Sequence, residues 1–203
     1  MLKLYGHPES GHSYKVKLCL SMGKIEHDYQ VIDISLAREQ RPQDFQNHSK
    51  FQEVPLLTHN NTAYVQSNAI LLYLAEHYSV FGGNTPDQLQ QCREWLFWEA
   101  NKIGLCLPQL RFAAKFAPEQ YNQGTLDWLT SRYNQDINVI EQALTDGRNF
   151  ILGDKVTIAD FSLCGYLYFA DQANVDVPPM TSQWLERISN LNGWQHPYQL
   201  LSK

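Results

Sequence analysis

The chain has little that would serve metal, nucleic-acid or membrane chemistry. Its four cysteines, Cys19, Cys92, Cys106 and Cys164, are spread too widely for a C-x-x-C redox or zinc signature. Cys19 and Cys164 stand in apolar helical contexts, so buried free thiols are expected and no metal site. Lysine and arginine number 16 against 21 acidic residues, a net charge of -5, and no long basic block occurs, which argues against an electrostatic nucleic-acid partner. The longest fully apolar run, Ala69 to Ala75, is far too short to span a membrane. The opening MLKLYGHPE lacks a charged-then-apolar signal pattern, so a cytoplasmic protein with no membrane partner is expected. Internal repeats and low-complexity tracts are also lacking. What is there is ordinary: 203 residues at 43% hydrophobic content suit one or two globular domains, and the acidic balance suits small polar ligands.

Up to residue 78 the signals alternate. Leu2 to Tyr5 reads as a strand, Ser13 to Met22 as a helix, Asp28 to Ile34 as a strand, and a helix attempt begins near Arg41-Pro42. Val54-Pro55 interrupts the next apolar run; a proline cannot donate to a sheet ladder, and this X-Pro bond is a candidate cis peptide. Leu56 to Thr58 and Thr62 to Val65 flank the turn residues His59-Asn60-Asn61 as a β-hairpin. Ser67 is then placed to cap a helix carrying Ile70, Tyr73, Leu74 and His77, whose amino end would aim backbone amides at an anion such as a carboxylate. Taken singly, Pro55 ends a loop and Ser67 caps a helix. Together the order is β-α-β-α-β-β-α: a parallel pair through a right-handed crossover, then an antiparallel hairpin, which makes a small mixed sheet of thioredoxin-like order.

After Tyr78 no alternating strand pattern appears. Residues 79–86 read as a linker and residues 87–203 as an all-helical domain, so the fold class expected is α/β plus all-α with a mixed four-stranded sheet in domain 1–78. Asp87 to Lys115 reads as one long helix that Pro108 should kink or break, and Thr125 to Leu144 as another. In Gly153-Asp154-Lys155-Val156-Thr157-Ile158-Ala159-Asp160-Phe161, Thr157 caps a helix, Asp160 reaches back to its amide and Val156 staples onto Phe161, so Asp160 is read as a folding residue.

YGHPES at 5–10, FQEVPLL at 51–57, VQSNAILLYLAEHY at 65–78 and LGDKVTIADF at 152–161, in this order and spacing, resemble a bacterial-type cytosolic glutathione transferase from end to end. The resemblance implies that glutathione is held as a co-substrate along the sheet edge. The Val54 main chain would meet its cysteinyl portion, and Gln66 with Ser67 its γ-glutamyl end. Glu53 stands where the family more often has an amide or lysine, so its carboxylate should either meet the ligand's ammonium or point away. His-Pro-Glu-Ser at 7–10 is similar to the serine-type activation segment, which makes Ser10 the expected hydroxyl donor to sulfur. Tyr5, at the end of the same strand, is its rival, although the arginine-glycine pattern of tyrosine-type members does not follow it. His12 is a further possible contact, whereas His7 lacks the partner spacing of a metal ligand. Phe51 matches an aromatic that wedges into a second subunit, or else packs in its own loop; a homodimer is expected. Trp95, Trp98, Phe112 and Phe116 are either core or the lining of an apolar acceptor cleft. The activity implied is transfer of glutathione to a small hydrophobic electrophile. Disulfide or peroxide reduction by glutathione, and a binding module without turnover, are the alternatives.

Overall fold

The computed structural model describes residues 1–202, so only Lys203 of the expected helical domain lies outside it. Four strands, β1 (Leu2–Gly6), β2 (Asp28–Val31), β3 (Leu56–His59) and β4 (Thr62–Val65), form one sheet in the order β2-β1-β3-β4. β1 and β2 run parallel with Leu4 beside Tyr29; β1 and β3 run antiparallel with Leu4 beside Leu57; β3 and β4 form the antiparallel hairpin with Leu57 beside Tyr64. Side chains alternate across a strand, so neighbouring positions serve different cores. Leu4 and Leu57 point into the large core with helices α1 (Gly11–Met22) and α3 (Ser67–Tyr78), while Tyr5 and Leu56 join Ile32 and Phe45 in a small core under α2 (Gln43–His48).

The helical half comprises α4 (Pro86–Ala100), α5 (Ile103–Lys115), α6 (Gln123–Ala143), α7 (Ile158–Leu167), α8 (Pro179–Ser189) and α9 (Pro197–Leu201). α7 packs against α1, α3, α4 and α5, and so joins the two halves. At its start the fully buried Asp160 accepts from the Thr157 amide at 2.8 Å, the Thr157 hydroxyl at 3.0 Å, the Ile151 amide at 2.9 Å and Trp184 Nε1 at 2.9 Å. Four donors around one carboxylate tie the cap of α7 to the preceding loop and to α8, the structural use expected of it.

Several expectations are corrected. The segment from 87 to 115 is two helices, and the break falls at Asn101-Lys102, where the Lys102 backbone turns to φ -125 and ψ -111. Pro108 sits inside α5, which continues to Lys115; a proline removes one ladder bond without forcing a break when neighbouring packing holds the turn. The break brings Gly104 against Glu99: a Cβ on Gly104 would lie 2.3 Å from Glu99 Oε1. β2 stops at Val31, short of Ile34. Ser67 is not the cap of α3 but its first residue; the preceding Gln66 takes the left-handed φ of 69°, and no side-chain cap bond closes this end. α1 begins at Gly11, two residues before Ser13.

Candidate functional site

A cleft of about 1120 Å³ opens between the sheet half and the helical half. Ser10, Glu53, Val54, Gln66 and Ser67 all line it, so residues from three separate loops meet at one place. The Val54-Pro55 bond is cis, and β3 begins immediately after it. Gln66 Nε2 donates to Glu53 Oε2 at 3.2 Å, so Glu53 is turned toward the γ-glutamyl candidates. Ser67, 8% exposed, opens α3, whose first amides have no intrahelical partner.

Ser10 caps α1. The Ser13 amide donates to its Oγ at 3.0 Å, and the loop is tightened by the Ser10 amide donating to His7 O and the Glu9 amide donating to His7 Nδ1. A hydroxyl that accepts at its oxygen keeps its own proton to donate, so capping and donation to a ligand are compatible. Tyr5 is placed otherwise: it is 1% exposed, belongs to the small core on the α2 face, and donates its hydroxyl to Asp44. Burial and that carboxylate push the phenol up, and the ring does not line the cleft.

The electrostatics around Ser10 are set by partners far along the chain. Glu9 Oε2 accepts from Lys115 Nζ at 2.9 Å, from Tyr198 Oη at 2.8 Å and from the Arg111 guanidinium, which also donates to the Glu9 carbonyl at 2.7 Å. Burial alone would raise the Glu9 carboxyl, but these bonds hold it below its usual range. Beneath the site Lys15 Nζ meets Glu99 Oε2 at 3.0 Å with both side chains almost fully buried. Asn68 Nδ2 donates to the same oxygen at 2.8 Å, and the Ser162 hydroxyl reaches it at 3.2 Å. Burial would raise Glu99, yet the Lys15 ammonium holds it low. His12 lines the cleft and is pushed down to about 4 by burial, reinforced by Lys15, so its imidazole is neutral at pH 7. An anion beside Ser10 therefore meets a hydroxyl and helix amides rather than an imidazolium.

Of the four aromatics considered for the acceptor side, Phe112 and Phe116 line the cleft at 43% and 45% exposure. Trp95 and Trp98 do not; they pack edge to face on each other against the core. Phe51, 41% exposed, and Phe97, 74% exposed, also line the cleft. Glu9, Arg111, Glu99, Lys15 and Tyr166 escaped the reading from sequence. The only local signal was a charge inside an apolar helix, as with Lys15 in SYKVKLCL and Glu99 in WLFWEAN. Among the described residues no helix is long and apolar enough to cross a membrane, and no group of three or more His, Cys, Asp or Glu is gathered for a metal.

A thioredoxin-like sheet with a cis-proline loop, a helical half and, between them, a mainly apolar cleft with a few polar groups at one end define the build of the protein. The glutathione S-transferase N-terminal domain matches residues 1–76 and the glutathione S-transferase C-terminal domain residues 118–194; the chain belongs to the glutathione S-transferase family. A solved glutathione S-transferase from Pseudomonas fluorescens superposes with a TM-score of 0.85 at 27% identity, covering 95% of this chain and 96% of that one. The disulfide-bond oxidoreductase YfcG of Escherichia coli is 26% identical over 93% of this chain and 90% of its own length. Maleylacetoacetate isomerase of Mus musculus is also 26% identical, over 93% of this chain and 85% of its own.

Proposed function

We propose that the protein is a glutathione transferase of serine type, in which the Ser10 hydroxyl donates a hydrogen bond to the glutathione sulfur and holds it as thiolate, the thiol proton passing to solvent. Glutathione is a co-substrate: the Val54 main chain receives its cysteinyl part, Gln66 and Ser67 its γ-glutamyl carboxylate, and Glu53 its ammonium. The thiolate attacks a small hydrophobic electrophile, forming a sulfur–carbon bond as a leaving group departs or a double bond takes the electron pair.

The observation that carries this reading is the position of Ser10. It lines the cleft at the amino end of α1 with its oxygen already accepting the Ser13 amide, while Tyr5 is turned to the other face of the sheet. A free thiol near pKa 8.5 is a few per cent ionised at neutral pH; lowering it by about two units requires roughly 2.7 kcal/mol of preferential stabilisation. A charge-assisted hydroxyl bond and the helix amides are of the right size to supply this. Ultraviolet titration of bound glutathione in wild type, Ser10→Ala and Tyr5→Phe is the test. A lowered thiol pKa that returns toward its solution value in Ser10→Ala alone is expected; loss in Tyr5→Phe alone would move the role to Tyr5, and no binding of glutathione would leave the binding-module reading.

The likeness to a protein named as a disulfide-bond oxidoreductase favours a second reading, glutathione-dependent disulfide or peroxide reduction with the same thiolate. A panel of aryl halides, hydroperoxides and mixed disulfides separates the two. The exposed Phe51 and Phe97 suit a homodimer interface, and the protein is read as cytoplasmic, with neither nucleic acid nor membrane as partner.

A further inference from the structure

Two glycines decide what lies over Ser10. Gly11, the first residue of α1, abuts Gly165 of α7: a Cβ on Gly165 would lie 2.9 Å from Gly11 O, and a Cβ on Gly11 would lie 2.8 Å from Gly165 O. With no side chain between them, the next residue of α7 is laid directly on the start of α1. A Cβ on Gly11 would sit 2.6 Å from Cδ2 of Tyr166 and 2.7 Å from its Cγ, so only hydrogen at position 11 admits that ring. From the other side His12 meets the ring edge-on, with centroids 4.9 Å apart and planes at 76°. Tyr166 and Ser10 line the same cleft.

The groups around this phenol leave its proton available. Burial pushes it up to about 12, while the Arg111 guanidinium, the Gly11 amide and the Ser10 side chain pull it partly back. The charged groups near it are engaged elsewhere: Lys15 with Glu99, and Arg111 with Glu9. His12 is neutral at pH 7. A neutral phenol whose ring lies on Gly11, the residue after Ser10, and which lines the same cleft adds a second hydroxyl donor for one anion.

We propose that Tyr166 is a second hydroxyl donor to the glutathione sulfur, so that the helical half completes a thiol site whose first donor, Ser10, comes from the sheet half. This rests on the reading of Ser10 given above. A thiolate accepts more than one hydrogen bond, and a phenol is a stronger donor than an aliphatic hydroxyl, so the two act together on the same charge.

The test uses Tyr166→Phe, which keeps the ring on Gly11 and against His12 and removes only the oxygen. The thiol of bound glutathione is titrated by ultraviolet absorbance in wild type, Tyr166→Phe, Ser10→Ala and the double variant, and S-methylglutathione, which has no ionisable thiol, is titrated in parallel. In Tyr166→Phe the bound thiol pKa is expected to rise by about one unit, roughly tenfold less thiolate at low pH, with S-methylglutathione binding unchanged. The double variant should rise further than either single one. A thiol pKa equal to wild type in Tyr166→Phe overturns the proposal while leaving Ser10 in place. So does S-methylglutathione affinity falling in step with the thiol shift, which would mark a merely structural role. If wild type itself leaves the thiol at its solution value, both this proposal and the reading beneath it fall.

Discussion

Two charge clusters tie the sheet half to the helical half, and they are built on different terms. Inside, Lys15 and Glu99 are 1% and 4% exposed, and Asn68 and Ser162 donate to the same carboxylate oxygen as Lys15. At the rim, Glu9 is shared among Arg111, Lys115 and Tyr198, with Gln172 accepting from the same two cations, and Glu9 and Lys115 are 26% and 32% exposed. The inner cluster is balanced one to one and sealed, so loss of either partner strands a charge in the core. The rim cluster holds two cations for one carboxylate: Arg111 is buried, while Lys115 and Glu9 are partly wet, so Lys115 is the dispensable member. Its position matters more than its strength, because Glu9 immediately precedes Ser10.

The largest effect is expected at the inner pair. Glu99→Ala should cost about 3 to 5 kcal/mol in urea unfolding, because the Lys15 ammonium is left unpaired in the core. The paired replacement Lys15→Met with Glu99→Leu should recover most of that loss; a double variant as unstable as the single one would show that packing around Asn68, rather than charge, is at stake. Arg111→Met comes next. Its guanidinium is 2% exposed and bonds Glu9, Gln172 and Tyr198, so roughly 2 kcal/mol should be lost.

The rim cluster also carries a pH dependence. Glu9 is held below its unfolded pKa, so its contribution to stability is present above the ordinary glutamate range and is lost as pH falls through the depressed folded value. Thermal unfolding of wild type and Glu9→Gln should therefore converge toward acid pH and separate above it; parallel curves would place the acid sensitivity elsewhere. The smallest change is expected for Lys115→Met, under about 1 kcal/mol and shrinking with added salt, since Arg111 remains on the carboxylate.

Local patterns in the sequence carried much of this architecture. The alternation in β1, the turn at Asn60-Asn61, the break at Pro55 and the Thr157–Asp160 cap are each written within a few residues, and the elements follow them. Ser10, Glu53, Val54, Gln66 and Ser67, singled out through short segments that resemble family motifs, line one cleft. The misreadings share a cause. Pro108 carries a strong local rule, but packing of α5 against α6 and α7 overrides it, while the actual break at Asn101-Lys102 is marked only by the weaker signals of Asn101 and Gly104. The clusters around Glu9 and Glu99 join positions 102 and 84 residues apart, a distance at which spacing conveys nothing. Tyr166 depends on a crossing of two glycines that only the packed helices reveal.

The four cysteines, buried across both halves, bear on chemistry that never touches them. Burial pushes each thiol up, Cys106 to about 12, so none competes as a nucleophile at neutral pH. The cleft thus sits in a scaffold whose own sulfurs are all buried and held as thiols. The consequence is practical as well as protective: one cysteine introduced at an exposed position away from the cleft, such as Trp128, would be the single fast-reacting site for a spectroscopic label.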